Sequence, residues 1–313
     1  MSEGQVSGKG QVMPHRSVIE SMRSSWFIRR EDKARRLKQV AKVAPGRVLP
    51  TQEIVPALEA LVAPSDRVAL EGDNQKQADF LSRSLAEVDS EKVHDLHMLI
   101  SSISRPDHLD LFERDIATRV DFSYAGPQSL RVAQLLDDGK LRIGAIHTYL
   151  ELYARLFVDL VPTVALVAAE SADAEGNLYT GSNTEDTPTI VEATAFRDGI
   201  VVAQVNELVD KLPRVDVPGS WVDFVVVADR PYEVEPLFTR DPRQISDVQV
   251  LIAMLAIRGV YERHGVTSLN HGIGFGTAAR IRHGCRYRAG RADGVLSRRR
   301  VRDAGSAGLR GKR

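Results

Sequence analysis

Cysteine occurs once in this chain, as Cys285. No intrachain disulfide can form, and zinc-finger ligation is excluded. No uninterrupted apolar run approaches the ~18–20 residues that span a bilayer. The first fourteen residues, polar and glycine-rich, lack the charged start, apolar middle and small-residue cleavage site of a secretory signal. A cytoplasmic protein is the expectation. The Gly-Lys-Ser/Thr of a phosphate loop is absent, and no repeat of solenoid period is found. Net charge is also absent, with 42 basic against 42 acidic residues, but that neutrality is a cancellation. Residues 280–313 hold 11 Arg and 1 Lys against only Asp293 and Asp303, with no Glu at all, so the residues before them are acidic in balance.

What is present is an ordinary globular composition, 43% hydrophobic over 313 residues. That length suffices for one large domain or two smaller ones with real cores. Residues 1–25 read as a flexible leader. Trp26–Lys42 reads as a basic helix docked on the acidic body, with a nucleic-acid patch as the other reading. From residue 46 a βα rhythm begins. Thr51 is placed to cap a helix through Ala63. Strands are predicted at Arg67–Glu71, Val93–Ile100, Leu141–Ile146, Thr163–Ala169, Gly199–Val205 and Val222–Ala228, and helices at Gln75–Val88 and Thr148–Phe157. The alternation predicts an α/β fold with a mostly parallel sheet and flanking helices. Ile245–Arg263 has helical spacing and leads to a short strand, Val266–Leu269. The expected domains are therefore 1–45, a leader and helix; 46–240, a first α/β domain; 241–279, the start of a second, incomplete domain; and 280–313, a basic, unstructured tail.

After that strand come Gly272, Gly274 and Gly276 and an apparent helix start. Glycines let the backbone turn sharply and approach a ligand, and N–H groups at a helix start bind anions or a developing oxyanion. Gly274, Gly276 and Ala279 also fit a dinucleotide fingerprint, but its acidic partner is represented only by Asp293, which lies in no strand pattern. By spacing alone a ligand turn and a tight structural turn are equal readings.

Asn270-His271-Gly272-Ile273-Gly274-Phe275-Gly276 resembles the second-half glycine turn of the CoA-transferase superfamily, and Ala172-Asp173-Ala174-Glu175-Gly176-Asn177 resembles its first-half hairpin. Asn206-Glu207-Leu208-Val209 and Leu212–Gly219 follow in the same order. Leu70-Glu71-Gly72-Asp73-Asn74-Gln75-Lys76-Gln77-Ala78-Asp79-Phe80 and Trp26–Arg30 look like the malonate decarboxylase alpha subunit, and the resemblance covers about residues 26–279. It implies a CoA-transferase-like fold and a transferase that exchanges acetate for malonate on an acyl carrier protein. No cofactor is bound directly: the group acted on is a phosphoribosyl-dephospho-CoA on the carrier. The implied partners are the carrier and separate decarboxylase subunits, with malonate and acetate as small molecules, no membrane, and nucleic acid only non-specifically through the tail. In related enzymes a glutamate attacks the thioester and glycine-turn N–H groups hold the oxyanion. Gly272, Gly274, Phe275 and Gly276 are the expected oxyanion turn. Gly72, Asn74, Gln75 and Lys76 are candidates for holding the prosthetic group or substrate, Lys76 through phosphates. The resemblance puts the glutamate downstream of the second glycine turn, where residues 280–313 have none, so the catalytic residue is unassigned.

The composition of 280–313 is that of a shifted reading frame of a GC-rich gene, and a truncated, inactive product is the expectation. The rival readings are a citrate lyase alpha subunit or another CoA-transferase, and a non-catalytic protein with a basic tail. Glu185, Glu192 and Glu207 are read as surface or hairpin residues, His94 and His97 as no metal site, and His147-Thr148 as a helix cap. Asp107-His108 is read as loop.

Overall fold

A computed structural model describes residues 15–72, 76–181, 186–232, 245–266 and 279, with side chains from residue 27 onward. Asn74, Gln75, Glu185, the Gly272–Gly276 turn and the basic tail lie outside the described residues. The chain divides into two compact units, Met1–Glu235 and Pro236–Arg313.

The first unit is built on β-branched and apolar runs. In chain order these are β1 (Val48–Leu49), β2 (Arg67–Leu70), β3 (Leu96–Ser102), β4 (Ala117–Tyr124), β5 (Arg142–Ile146), β6 (Val164–Ala172), β7 (Leu178–Tyr179), β8 (Ile200–Leu208) and β9 (Phe224–Val227). They form one sheet in the order β1-β9-β8-β6-β2-β3-β4-β5, with β7 on β6. Every pairing is parallel except β6 with β7. The helices are α1 (His15–Val43), α2 (Ile54–Leu61), α3 (Asp79–Ala86), α4 (Asp107–Glu113), α5 (Ser129–Asp137), α6 (Tyr149–Val158) and α7 (Thr187–Ala195).

Successive strand residues face opposite sides, so the sheet has two cores. Val68, Leu70, Met98, Ile100, Leu166 and Val202 join Leu58, Leu81, Leu85, Phe112 and Leu135 from α2–α5 on one face. Ala69, Leu99, Ala165, Val167 and Val201 join Leu152, Leu156, Ile190 and Val191 of α6 and α7 on the other. Each fully buried Leu or Ile contributes roughly 1.5–3 kcal/mol, which makes this double-sided burial the main stabilising term. Helix α1 is tied on by charge: Arg36 to Asp66, Lys33 to Asp223 (2.9 Å) and Arg30 to Asp198 (3.4 Å). The docked-helix reading of its basic residues therefore holds.

The α/β sheet is as expected, with local differences. Helix α1 begins at His15, inside the stretch read as leader. Thr51 does not cap a helix; it lies in a 3-10 turn and donates to the Val227 carbonyl at 2.9 Å. Helix α3 starts at Asp79 rather than Gln75; just before it Gln77 bridges Gly72 and the Ala78 N–H bonds the Glu71 carbonyl at 2.9 Å. Helix α4, strand β4 and helix α5, unassigned by periodicity, fill residues 107–137; Asp107 and His108 open α4 rather than lie in a loop. Thr148 does cap α6, accepting the Glu151 N–H at 3.2 Å. In the second unit, helix α8 (Asp247–Ala256) starts on a Ser246–Gln249 capping box and passes into a π-helical turn at Ile257–Glu262.

Candidate functional site

Strand order reverses between β2 and β6. From β2 the chain builds outward through β3, β4 and β5, then returns to β6 and builds the other way through β8 and β9. In open parallel sheets ligands bind at the carboxyl ends of the strands beside such a reversal.

Glu71 sits at that point, immediately after β2, and is fully buried. Its backbone N–H reaches the Leu166 carbonyl at 2.9 Å, and its Oε2 accepts the Ala168 N–H of β6 at 2.7 Å. Its Oε1 accepts the hydroxyl of Thr187, first residue of α7, at 2.5 Å and lies 3.2 Å from the Lys76 ammonium. Lys76 also donates to the Thr187 hydroxyl. A buried carboxylate is costly unless paired and hydrogen-bonded; here one ammonium, one hydroxyl and one amide satisfy it. The network joins β2, its following loop, β6 and α7 across the reversal point.

Lys76 is held inside this network. Its side chain is 1% exposed and its ammonium pairs with Glu71, so it is not a solvated first-turn lysine. Gly72 has no room for a side chain. A Cβ there would overlap the Ser102 carbonyl and Ile100 Cγ2 and lie 3.1 Å from His108 Cε1. Both residues position the backbone that follows β2.

Neighbouring polar groups brace the same edge. Ser101 and Tyr153 both donate to Asp186, which precedes α7. Gln204, buried on β8, donates to Asp79 at 2.9 Å and accepts the Leu81 N–H at 3.0 Å, fixing the start of α3. At and just past the end of β3, Ser102 Oγ, Arg105 Nε and both His108 ring nitrogens are buried without hydrogen-bond partners among the described residues. Burial, then Arg105, lowers the His108 pKa to about 4, so the ring is neutral. Glu170 near the end of β6 is exposed, beside Gly181. Tyr232 is buried nearby, and burial, then Glu170 and Glu71, pushes its phenol above the ordinary range.

The superfamily hairpin is explained by its own bonds. Asp173 accepts the N–H groups of Glu175 (3.1 Å) and Asn177 (2.9 Å), Gly176 takes φ +81°, and Asn177 Oδ1 accepts the Gly219 N–H at 2.8 Å. The motif thus ties β7 to the 213–219 loop, where Asp216 accepts the Thr180 N–H at 3.0 Å. Glu192 lies on α7 and is half-buried, and Glu207 is exposed at the end of β8; neither joins the Glu71 network.

Tertiary structure also gives His97 a carboxylate that spacing does not show. Asp121 of β4 lies 2.6 Å from His97 Nε2 and 2.8 Å from His147 Nε2. Burial opposes the Asp121 charge, but bonds to His147 and His97 more than offset it and lower its pKa.

Glu71, Thr187, Asp186, Glu170 and Tyr232 are the residues that sequence reasoning did not single out. Glu71 lay in a recognised block, but nothing in its spacing marks a charge aimed inward.

Comparison with known proteins settles the ancestry. The family described as malonate decarboxylase, alpha subunit, transporter matches residues 25–282. The acetyl-S-ACP:malonate ACP transferase of Malonomonas rubra is 58% identical over 233 residues, 74% of this chain and 42% of that protein. A Pseudomonas malonate decarboxylase hetero-tetramer, solved with malonate, superposes with a TM-score of 0.75 at 67% identity, over 82% of this chain and 47% of its counterpart. This chain therefore spans under half the length of these relatives. An Escherichia coli acyl-CoA transferase, 18% identical with a TM-score of 0.51, shares the fold. The sheet, the hairpin and the Glu71 block together place the chain in the malonate decarboxylase alpha subunit family.

Proposed function

We propose that residues 25–282 form the thioester-receiving half of an acyl-carrier-protein transferase, in which malonate displaces acetate from the acetyl carrier. The observation that carries this reading is the 58% identity, over 233 residues, to a transferase of that reaction. Citrate lyase and other CoA-transferases share the superfamily fold, but the family match favours malonate. The reaction exchanges one acyl oxygen-acid for another: acetyl thioester and malonate give malonyl thioester and acetate. The partners are the carrier, bearing a phosphoribosyl-dephospho-CoA arm, and decarboxylase subunits that take the malonyl thioester onward.

Within this half, the Glu71–Lys76–Thr187 network sets the loop after β2 and the start of α7 on the edge where the thioester arrives. Internal pairing leaves that network no net charge to repel an anionic arm. Glu170, near the carboxyl end of β6, is an exposed carboxylate at this edge. The N–H groups of Gly272, Gly274 and Gly276 are proposed as donors to the developing oxyanion.

Titration calorimetry with acetyl carrier tests the reading. Saturable binding is expected, weakened roughly tenfold or more by Glu71→Gln or Lys76→Met, each of which strands a buried partner. Absence of saturable binding by the unaltered chain would sink it. Acetate release with malonate is expected to stay at the no-protein level for the 313 residues alone, since 280–313 supply no Glu. Release well above that level would place the nucleophile among the carboxylates present, with Glu170→Gln the first variant to make.

A further inference from the structure

At the edge of the sheet opposite Glu71, the amino-terminal ends of β6 and β8 and one face of α1 enclose a cavity of about 30 Å³. Arg29, Lys33 and Arg36 line it from α1, Thr163 and Gly199 from the strand starts, and Arg197 from the turn after α7. A single water needs roughly 10–15 Å³, so the space suits a compact oxyanion.

The charges around it do not balance. Lys33 is spent on Asp223 and on the Gly199 carbonyl at 2.7 Å. The two acids on its wall are already paired, Asp32 with Arg35 and Arg36, and Asp198 with Arg30. Among the described residues the guanidiniums of Arg29 and Arg197 make no hydrogen bond or ion pair, although Asp198 lies close enough to Arg29 to act on it. Arg36 is 7% exposed, and although its terminal nitrogens are paired, its Nε is a buried donor with none. Burial, then the nearby Arg67 and Arg197, lowers the Arg29 pKa, and the opposing pull of Asp198 does not offset them.

We propose that this cavity binds a phosphoryl dianion, held between the Arg29 and Arg197 guanidiniums with Arg36 Nε as a further donor, and that the bound anion pins α1 to the sheet. Two planar guanidiniums presenting paired N–H donors match phosphate geometry better than ammonium groups do. The site is separate from the thioester edge, so the proposal stands or falls apart from the transferase reading.

The test is titration calorimetry and thermal melting of the whole chain with orthophosphate, and in parallel with AMP as a phosphomonoester, against chloride at matched ionic strength. Saturable binding and a Tm rise of roughly 3–8 °C are expected. Orthophosphate binding alone assigns the free ion, and tighter AMP binding assigns an esterified phosphoryl group; both support the site. Arg29→Gln and Arg197→Gln lie on opposite walls, so one serves if the other fails to fold. Each should weaken binding roughly tenfold or more and leave the anion-free Tm unchanged or higher, because repulsion is relieved. Binding unchanged in both variants, or no effect beyond chloride in the unaltered chain, overturns the proposal.

Discussion

His108 shows what one buried side chain does to the whole. It lies fully buried on α4 against Gly72, with neither ring nitrogen bonded among the described residues, and its pKa falls from 6.5 to about 4. Between those values the unfolded chain takes up a proton that the folded chain refuses, so stability is full above 6.5 and falls as pH drops towards about 4. The full swing is about 3 kcal/mol at 1.36 kcal/mol per pKa unit. His97, lowered by burial despite Asp121, adds a term of the same sign. His108→Leu should therefore flatten, without abolishing, the fall in Tm between pH 7 and pH 5. Melting curves at both pH values check this, and an unchanged slope would remove His108 as the titrating group.

Among elements, the β2–α3 connection is the most tightly specified. Gly72 passes so close to β3 that any Cβ would meet the Ser102 backbone, which cannot swing aside as a flexible side chain can. Gly72→Ala is expected to cost roughly 1–3 kcal/mol, or more if the Glu71–Lys76 pair is pulled open. Gly259, in the π-helical turn, has open space around a built Cβ, and Gly259→Ala should be neutral or slightly stabilising. Urea denaturation of the two variants compares them directly; equal midpoints would show that the loop relaxes around the added methyl.

For the molecule as a whole, the described part of the first unit carries two cores, one on each face of its sheet. A chain ending at Glu235 is accordingly expected to melt cooperatively, since the strands and helices that bury those cores all lie before that residue. Calorimetry of that fragment is the measurement. A broad, non-cooperative transition would show that residues beyond Glu235 complete the fold. Among the described residues no helix is long and apolar enough to cross a membrane.

The sequence by itself determined the class of fold and the family. Buried parallel strands must be apolar on both faces, so runs such as Val201–Val205 and Phe224–Val227 announce themselves, and their alternation with amphipathic helices leaves few topologies. The Glu71–Phe80 block and the Ala172–Asn177 hairpin marked ancestry because such short, glycine-bearing turns need specific side chains to close. Tertiary structure alone decided where charges point. Lys76 looked like a free cation at a helix start, yet it is turned inward because Glu71 and Thr187, distant in the chain, meet it there. Asp121 reached His97 across a register of parallel strands, and Arg29 met Arg197 across the sheet's amino-terminal edge. Pairings over such separations leave no trace in local periodicity. They follow from strand order, which a linear pattern does not encode.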